Sequence, residues 1–294
     1  MFDGNIDFQK PLKWGKLEAG LKMRYRFIPT NMIFHPGQYT PFDMGAGGWA
    51  TYKETIPATY LNYFFDNKLY ELEAGLRLEY VNVHYDIDPN HNTYKSDGYN
   101  YLQPFPNIKL GYKLDNGDKF QINLNRRVDR PAELDIRVFP KYDDAEIIKV
   151  GNPALKPQYT NSVELGYKKG LERGYLYGSL FQRVSQGTIT RIAVNDPSKQ
   201  VVYNIMQNAG LSSVRGLEVF YSESINSNFR YNVNVNYYQN NLAQYTEQDM
   251  MKYRGVFLAK LLFDHFKHET KTTYYLGDRG KELFDTQIEE FFNG

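Results

Sequence analysis

Residues 17–27 alternate without a break: Leu17, Ala19, Leu21, Met23, Tyr25 and Phe27 against Glu18, Gly20, Lys22, Arg24 and Arg26. A period of two puts successive side chains on opposite faces of a strand and is incompatible with one face of a helix. The run covers residues 17 to 27 in one phase. A strand needs about 9–11 residues to cross a bilayer, and a globular strand is nearer 5–6. Residues 70–80 repeat the pattern, with Tyr70, Leu72, Ala74, Leu76, Leu78 and Tyr80 against Glu71, Glu73, Gly75, Arg77 and Glu79. Aromatics at both ends of that apolar face fit girdles at two membrane interfaces. The phase then slips near Val81 and resumes as Val83, Tyr85 and Ile87, which a bulge or an exit from the membrane would produce.

The same period runs through most of the chain. Ile108 to Leu114 and Phe120 to Arg127 flank Asp115-Asn116-Gly117-Asp118, and Asn-Gly accepts the positive φ of a tight hairpin turn. A second hairpin is expected from Tyr159–Lys168 through residues 169–174 into Tyr175–Val184. Further strands are expected near Gly216–Ser222, Phe229–Tyr238, Val256–Phe263 and Thr270–Leu276, with a short turn at 225–228. Long connections are expected over 28–53, 86–104, 128–157, 185–214 and 239–253. Short turns on one rim and long loops on the other characterise an outer-membrane barrel, and soluble domains rarely carry several loops of that length. The expectation is an all-β antiparallel meander, an incomplete transmembrane barrel of about 10–12 strands over residues 1–276. A tail follows over 277–294, where Phe284, Ile288, Phe291 and Phe292 fall near the spacing of a short helix.

Composition removes several alternatives. The strongest apolar run, Val256 to Phe263, is interrupted by Lys260, so no stretch approaches the roughly 18 apolar residues of a transmembrane helix. The mean hydropathy of −0.61 does not oppose a barrel, whose strands are apolar on one face only. With a net charge of +1, no bulk field draws nucleic acid. The absence of cysteine removes disulfides and thiol chemistry. The 26 Tyr and 19 Phe against 2 Trp suit surfaces with one apolar and one wet side. Met1 to Asn5 lacks a basic region followed by an apolar core and so carries no signal peptide. That leaves a piece of a longer protein, or a chain that does not reach the outer membrane.

The segment Gly151-Asn152-Pro153-Ala154-Leu155-Lys156-Pro157-Gln158-Tyr159-Thr160-Asn161-Ser162-Val163-Glu164-Leu165-Gly166-Tyr167 joins a proline-pinned loop to an alternating strand. Two prolines exclude residues 151–157 from a ladder or a helix interior. This junction resembles that of TonB-dependent outer-membrane receptors, especially the Bacteroidetes outer-membrane β-barrel group. Gly151, Asn152, Pro153, Leu155, Pro157, Tyr159, Glu164 and Tyr167 carry the likeness as a structural motif. Asn125-Arg126-Arg127-Val128-Asp129-Arg130-Pro131 upstream, and Gln207-Asn208-Ala209-Gly210 with Arg215-Gly216-Leu217-Glu218 downstream, resemble two more family motifs in the expected order. The resemblance covers about residues 15–240. It implies a plugged barrel in the Gram-negative outer membrane that imports metal chelates, vitamins or glycans. It also implies a plug domain, a TonB-type energy-coupling partner and, for some assemblies, a surface lipoprotein. Neither a plug nor a TonB-contacting box is recognisable here, and the strands are too few to close the family's barrel.

Candidate sites are few, and no arrangement signals catalysis. Arg126, Arg127 and Arg130 suit an anionic ligand or pairing with Glu71, Glu73, Glu79 or Glu164 on neighbouring strands. Tyr39, Phe42 and Trp49, with Phe34 and Tyr52, could stack on a sugar or chelate in the first loop, as variable loops on rigid scaffolds carry specificity. Asp43 to Trp49 is glycine-rich without the Lys-Ser/Thr of a phosphate loop. His265 and His268, read as one strand, point to opposite faces and do not converge, and a loop position is the better reading. His84, Asp86, Asp88 and His91 fall in an expected long loop and could catch a cation. No metal and no cofactor are expected. The alternatives are a non-transporting scaffold or adhesion barrel and a soluble carbohydrate-binding β protein. The last would bury the face of Leu72, Leu76 and Leu78 under a second sheet, whereas a membrane barrel turns that face outward.

Overall fold

The long alternations become long strands. The computed structural model describes residues 1–276 apart from 36–44, 46, 92–94, 143–146, 197–200, 226–228, 244–249, 255–256 and 266–267. The tail at 277–294, Tyr39 and Phe42 lie outside the described residues. In chain order the elements are β1 (Phe2–Leu12), β2 (Gly15–Met32), β3 (Gly48–Asp66), β4 (Tyr70–Ile87), β5 (Asp97–Lys113) and β6 (Lys119–Asp129). An excursion follows, with α1 (Glu133–Ile136), β7 (Lys141–Tyr142) and β8 (Ile147–Val150). The chain returns as β9 (Gln158–Leu171), β10 (Gly174–Asp196), β11 (Val201–Ser224), β12 (Phe229–Ala243), β13 (Met250–Arg254), β14 (Phe257–His265) and β15 (His268–Leu276).

One sheet holds them in the order β1-β2-β3-β4-β5-β6-β9-β10-β11-β12-β14-β15. Every neighbour on this path is antiparallel. Among the described residues β1 and β15 do not pair, and the sheet is open. The path follows the chain except at β6, where the excursion intervenes before β9, and at β12, which pairs with both β13 and β14. Its strand β8 lies parallel to β11 at Val202–Ile205. The Asn-Gly turn has the expected form, with Gly117 at φ 83 and its N–H donating to the carbonyl of Leu114 at 3.0 Å.

The outer face is a lipid surface. Phe65, Leu72, Leu110, Ile122, Leu165, Leu180, Leu217 and Tyr237 are successive register partners across eight strands. Among the described residues no second sheet covers them, and Leu76, Leu78, Leu165, Leu180 and Tyr237 are all exposed. A soluble sandwich would bury this row. Toward the short turns, Tyr70, Tyr112, Phe120 and Tyr167 form the next aromatic row. Their rings meet at 5.4 Å between Tyr70 and Tyr112 and at 4.7 Å between Phe120 and Tyr167. The band is oblique to the register. Following partners from Tyr70 leads to Val235 on β12. On that strand the aromatic flanking the band is Tyr231, four positions nearer the turns (235 − 231 = 4). Tilted strands require this drift, because a level membrane cuts a tilted ladder at a changing residue.

Of the two readings of the slip near Val81, the bulge needs correction and the exit from the membrane fits: β4 keeps the same register against β3 on either side of Tyr80 and Val81, which that ladder skips opposite Ile56 and Pro57, and it pairs with β5 without a gap. What changes is the face that is apolar. Below Tyr80 the apolar residues face lipid; above it Val81, Val83, Tyr85 and Ile87 face inward and are buried. Most of the expected long loops are also strand. β5 begins at Asp97, β10 and β11 continue to Asp196 and from Val201, and β2 and β3 reach Met32 and Gly48. At 17 to 24 residues, β2–β5, β10 and β11 exceed the span of a bilayer and project from it. Above the membrane the apolar residues of β3 and β4 face the core instead of lipid, so these extensions do not continue the lipid-facing alternation.

The core sits inside that projection. Ala50, Tyr52, Ile56, Val81, Val83, Tyr85 and Ile87 of β3 and β4 pack against Ile136, Val138, Phe139 and Leu155 of the 130–157 excursion. The excursion folds onto the inner face and supplies the apolar partners that lipid supplies lower down.

Candidate functional site

The inner face is polar along the membrane-spanning length. Glu71 pairs with Lys109 at 2.8 Å and with Lys119, Glu73 accepts from Asn107 at 3.0 Å, and Tyr177 donates to Glu164 at 2.6 Å. Above it, the core is edged by a charged and aromatic cluster. The Arg26 guanidinium holds Glu54 bidentately, Nε to Oε1 at 2.8 Å and Nη2 to Oε2 at 2.5 Å. The Tyr52 hydroxyl donates to the same carboxylate at 2.6 Å, and Glu54 is 1% exposed. Burial pushes its carboxyl pKa up, but the Arg26 and Tyr52 hydrogen bonds and the Arg26 charge outweigh burial and hold it below the usual carboxylate range. Burial likewise raises the Tyr99 hydroxyl and pushes Tyr85 up to about 12.

Arg130 is largely buried and pairs with Glu79, whose other oxygen accepts from Arg77 at 3.0 Å. Tyr159 lies beneath the Arg126 guanidinium at 5.1 Å, edge-on to Tyr101 at 5.9 Å and stacked on Phe105 at 6.3 Å. Arg126 also donates to Gln103 at 3.0 Å. Arg127, its neighbour in the strand, points the other way and stays exposed, 3.9 Å from Asp129, a separation that contributes little in water. Trp49 lies in β3, not in a loop, and is 62% exposed.

Two of the sequence motifs meet at the excursion, through the 151–157 loop and Asn208. Gly151 is required by close approach, since a Cβ there would lie 2.2 Å from the Arg137 carbonyl oxygen. Asn152 donates from its side chain to the Met206 carbonyl at 3.1 Å, and its backbone N–H donates to Asp135 at 2.7 Å. Its side-chain oxygen accepts from Ala154 at 3.0 Å, closing the turn that Pro153 enters. Leu155 is fully buried in the core, and Pro157 is buried at the entry to β9. Asn208 then clamps the loop, accepting from the Lys156 N–H at 2.9 Å and donating to the carbonyls of Lys156 and Gly187, both at 2.8 Å. Gly187 takes φ 65 at this clamp. Glu164 and Tyr167 lie apart near the short turns, where Tyr167 donates to Asp118 at 2.6 Å.

Sequence reasoning missed Arg26, Glu54, Tyr99 and Tyr101. The signal that could have found them is the change of apolar face at Val81, because it marks where the inner surface becomes a core. His265 and His268 are also corrected. They lie on different strands and are register partners closing the β14–β15 hairpin. His84 and Asp86 are in β4, where Asp86 pairs with Lys53 at 2.9 Å. Among the described residues no group of three or more His, Asp or Glu side chains could hold a metal ion.

An open antiparallel sheet with a lipid-facing row, a polar inner face and long projecting strands defines an outer-membrane β-barrel segment. Residues 1–276 match the outer membrane protein beta-barrel family, and the chain belongs to it; its place is the outer membrane of a Gram-negative cell. No curated protein matches the sequence. Solved structures with the same fold include the copper transporter OprC, with a TM-score of 0.64 and 14% identity over 90% of this chain and 40% of that one. The FrpB iron transporter from Neisseria meningitidis gives 0.56 and 14% over 89% and 40%. The ferric yersiniabactin uptake receptor FyuA from Yersinia pestis gives 0.56 and 13% over 93% and 45%. The chain therefore spans less than half the length of these structures.

Proposed function

We propose that this chain is the barrel portion of a TonB-dependent-receptor-like protein. In the intact protein it binds and admits a scarce nutrient (a metal chelate, a vitamin or a glycan) and performs no catalysis. The observation that carries the reading is the inner face. A polar wall crosses the membrane and ends in a cluster of Arg26, Glu54, Tyr52, Tyr99, Tyr101 and Arg130, held by an excursion folded into the lumen rather than out over the rim. A wall of fixed hydrogen-bonding groups suits passage of a polar solute, and copper, iron and ferric-siderophore proteins share the architecture. Outer-membrane transporters of this kind close at about 22 strands around a plugged lumen. On this reading the remaining strands, the plug and the contact with a TonB-type partner belong to the intact protein. The non-transporting scaffold and a lipoprotein partner have no specific observation in their favour.

The test is the native protein. Antibody to this chain should recover from outer membranes a polypeptide more than twice its 34.4 kDa that includes a plug. Cells expressing it should accumulate one labelled chelate, cobalamin or oligosaccharide, and lose that uptake when the inner membrane is de-energised. Recovery of a plug-free polypeptide would overturn the transport reading and leave the scaffold.

A further inference from the structure

The lipid-facing surface carries one arginine of a sequence motif that the receptor reading leaves without a role. Arg215 precedes Gly216, where a Cβ would lie 2.3 Å from the Tyr237 carbonyl oxygen, so β11 and β12 approach closely here. In register, Gln182, Arg215 and Gln239 form one row and Leu180, Leu217 and Tyr237 the row beside it toward the short turns. On β10–β12 the apolar side chains thus give way to polar ones between these two rows, on the side away from the short turns, while the same row stays apolar at Val163 and Leu124 of β9 and β6. Below Leu180, Gly178 stands where the aromatic row has Tyr167, and a Cβ there would meet nothing within 4 Å. Beside this gap lies a trough of about 540 Å³, lined by Leu165, Leu180, Leu217, Tyr237 and Arg215 among others. Arg215 is exposed and spends Nε and Nη2 on a single acceptor, the Gln239 side-chain oxygen, at 3.1 and 2.8 Å. Gln239 thereby fixes the guanidinium plane.

We propose that this trough holds one phosphate-bearing lipid of the outer leaflet, an acyl chain lying along Leu180 and Leu217 and a headgroup phosphate on Arg215. Two observations name this occupant. The trough is continuous with the lipid-facing band, and its single cation stands at the level where headgroups begin and phosphate is the complementary group. The inference rests on membrane placement and not on transport, so either can fail alone.

The protein in nanodiscs of neutral lipid, titrated with hexa-acyl lipid A and read by native mass spectrometry, provides the test. One lipid A should be retained, and Arg215→Gln should weaken retention about tenfold to a hundredfold, the value of a charge-assisted contact. Arg215→Lys should keep part of it. Arg183→Gln, a matched loss of charge in β10 beside Phe181, should change nothing, and its heat-modifiable migration should match that of Arg215→Gln if both fold. Equal loss in both variants, no loss in either, or displacement of the lipid by millimolar inorganic phosphate alone would overturn the proposal.

Discussion

Asn208 and Leu155 act on the same loop by different physics. Asn208 replaces three hydrogen bonds that water would otherwise make, while Leu155 fills the core beneath. Asn208→Ala should therefore cost only about 1–2 kcal/mol, because the freed groups are near solvent. Its signature is local, faster amide exchange at Lys156. Unchanged protection there would contradict the clamp. Leu155→Ala removes a fully buried side chain and should cost roughly 2–5 kcal/mol, visible as a lower midpoint of unfolding in detergent. A loss below about 1 kcal/mol would mean that the excursion is not packed as described. The arginines repeat this lesson of context. Arg126 and Arg127 are adjacent in sequence, yet one stacks on Tyr159 and the other is solvated.

At the scale of elements, strand β4 shows two environments in one register. Leu76 faces lipid, so Leu76→Arg should cost roughly 2–4 kcal/mol near the midplane. Arg77 faces inward over Phe105 at 5.1 Å, and Arg77→Leu should perturb assembly much less, since Glu79 keeps Arg130. Folding yield of the two variants into lipid vesicles checks this, and equal tolerance would count against the outward face. At the other rim, Asp118 docks the β5–β6 turn onto its neighbour, accepting from Tyr167 and from Gly170 at 3.2 Å. Hydrogen bonding, with Tyr167 first, lowers its pKa. A lowered folded value means the docking is fully present above the unfolded value of about 3.9. It is lost as pH falls below that through the folded value. Exchange at Gly170 should stay slow at pH 5 and rise only in stronger acid. A rise already between pH 7 and 5 would assign the docking to another group.

Among the described residues the molecule is a sheet with a lipid-facing band and two open edges. Unpaired backbone groups are untenable in hydrocarbon, so the chain needs flanking strands to sit in a membrane as a closed barrel. Purified alone, it should partition into detergent and show a strand-rich far-UV spectrum there but not in plain buffer. A monodisperse, cooperatively melting protein in buffer would overturn the membrane reading. Within this architecture, the strand pattern of Leu17–Phe27 and Tyr70–Tyr80, the Asn-Gly hairpin and the proline-pinned 151–157 loop were legible from local chemistry alone, because alternation, turn conformation and proline geometry depend only on neighbouring residues. Trp49 shows the limit, since a residue expected in a loop lies in a strand that runs past the membrane, where Ala50, Tyr52 and Ile56 of the same strand face a core and not lipid. Only the tertiary structure decided that β4 turns its apolar side inward above Tyr80, that the 130–157 excursion fills the space this creates, and that Arg26, Glu54 and Arg130 converge from distant strands. Those outcomes depend on which surface covers each face, and a period-two pattern carries no information about what lies opposite it.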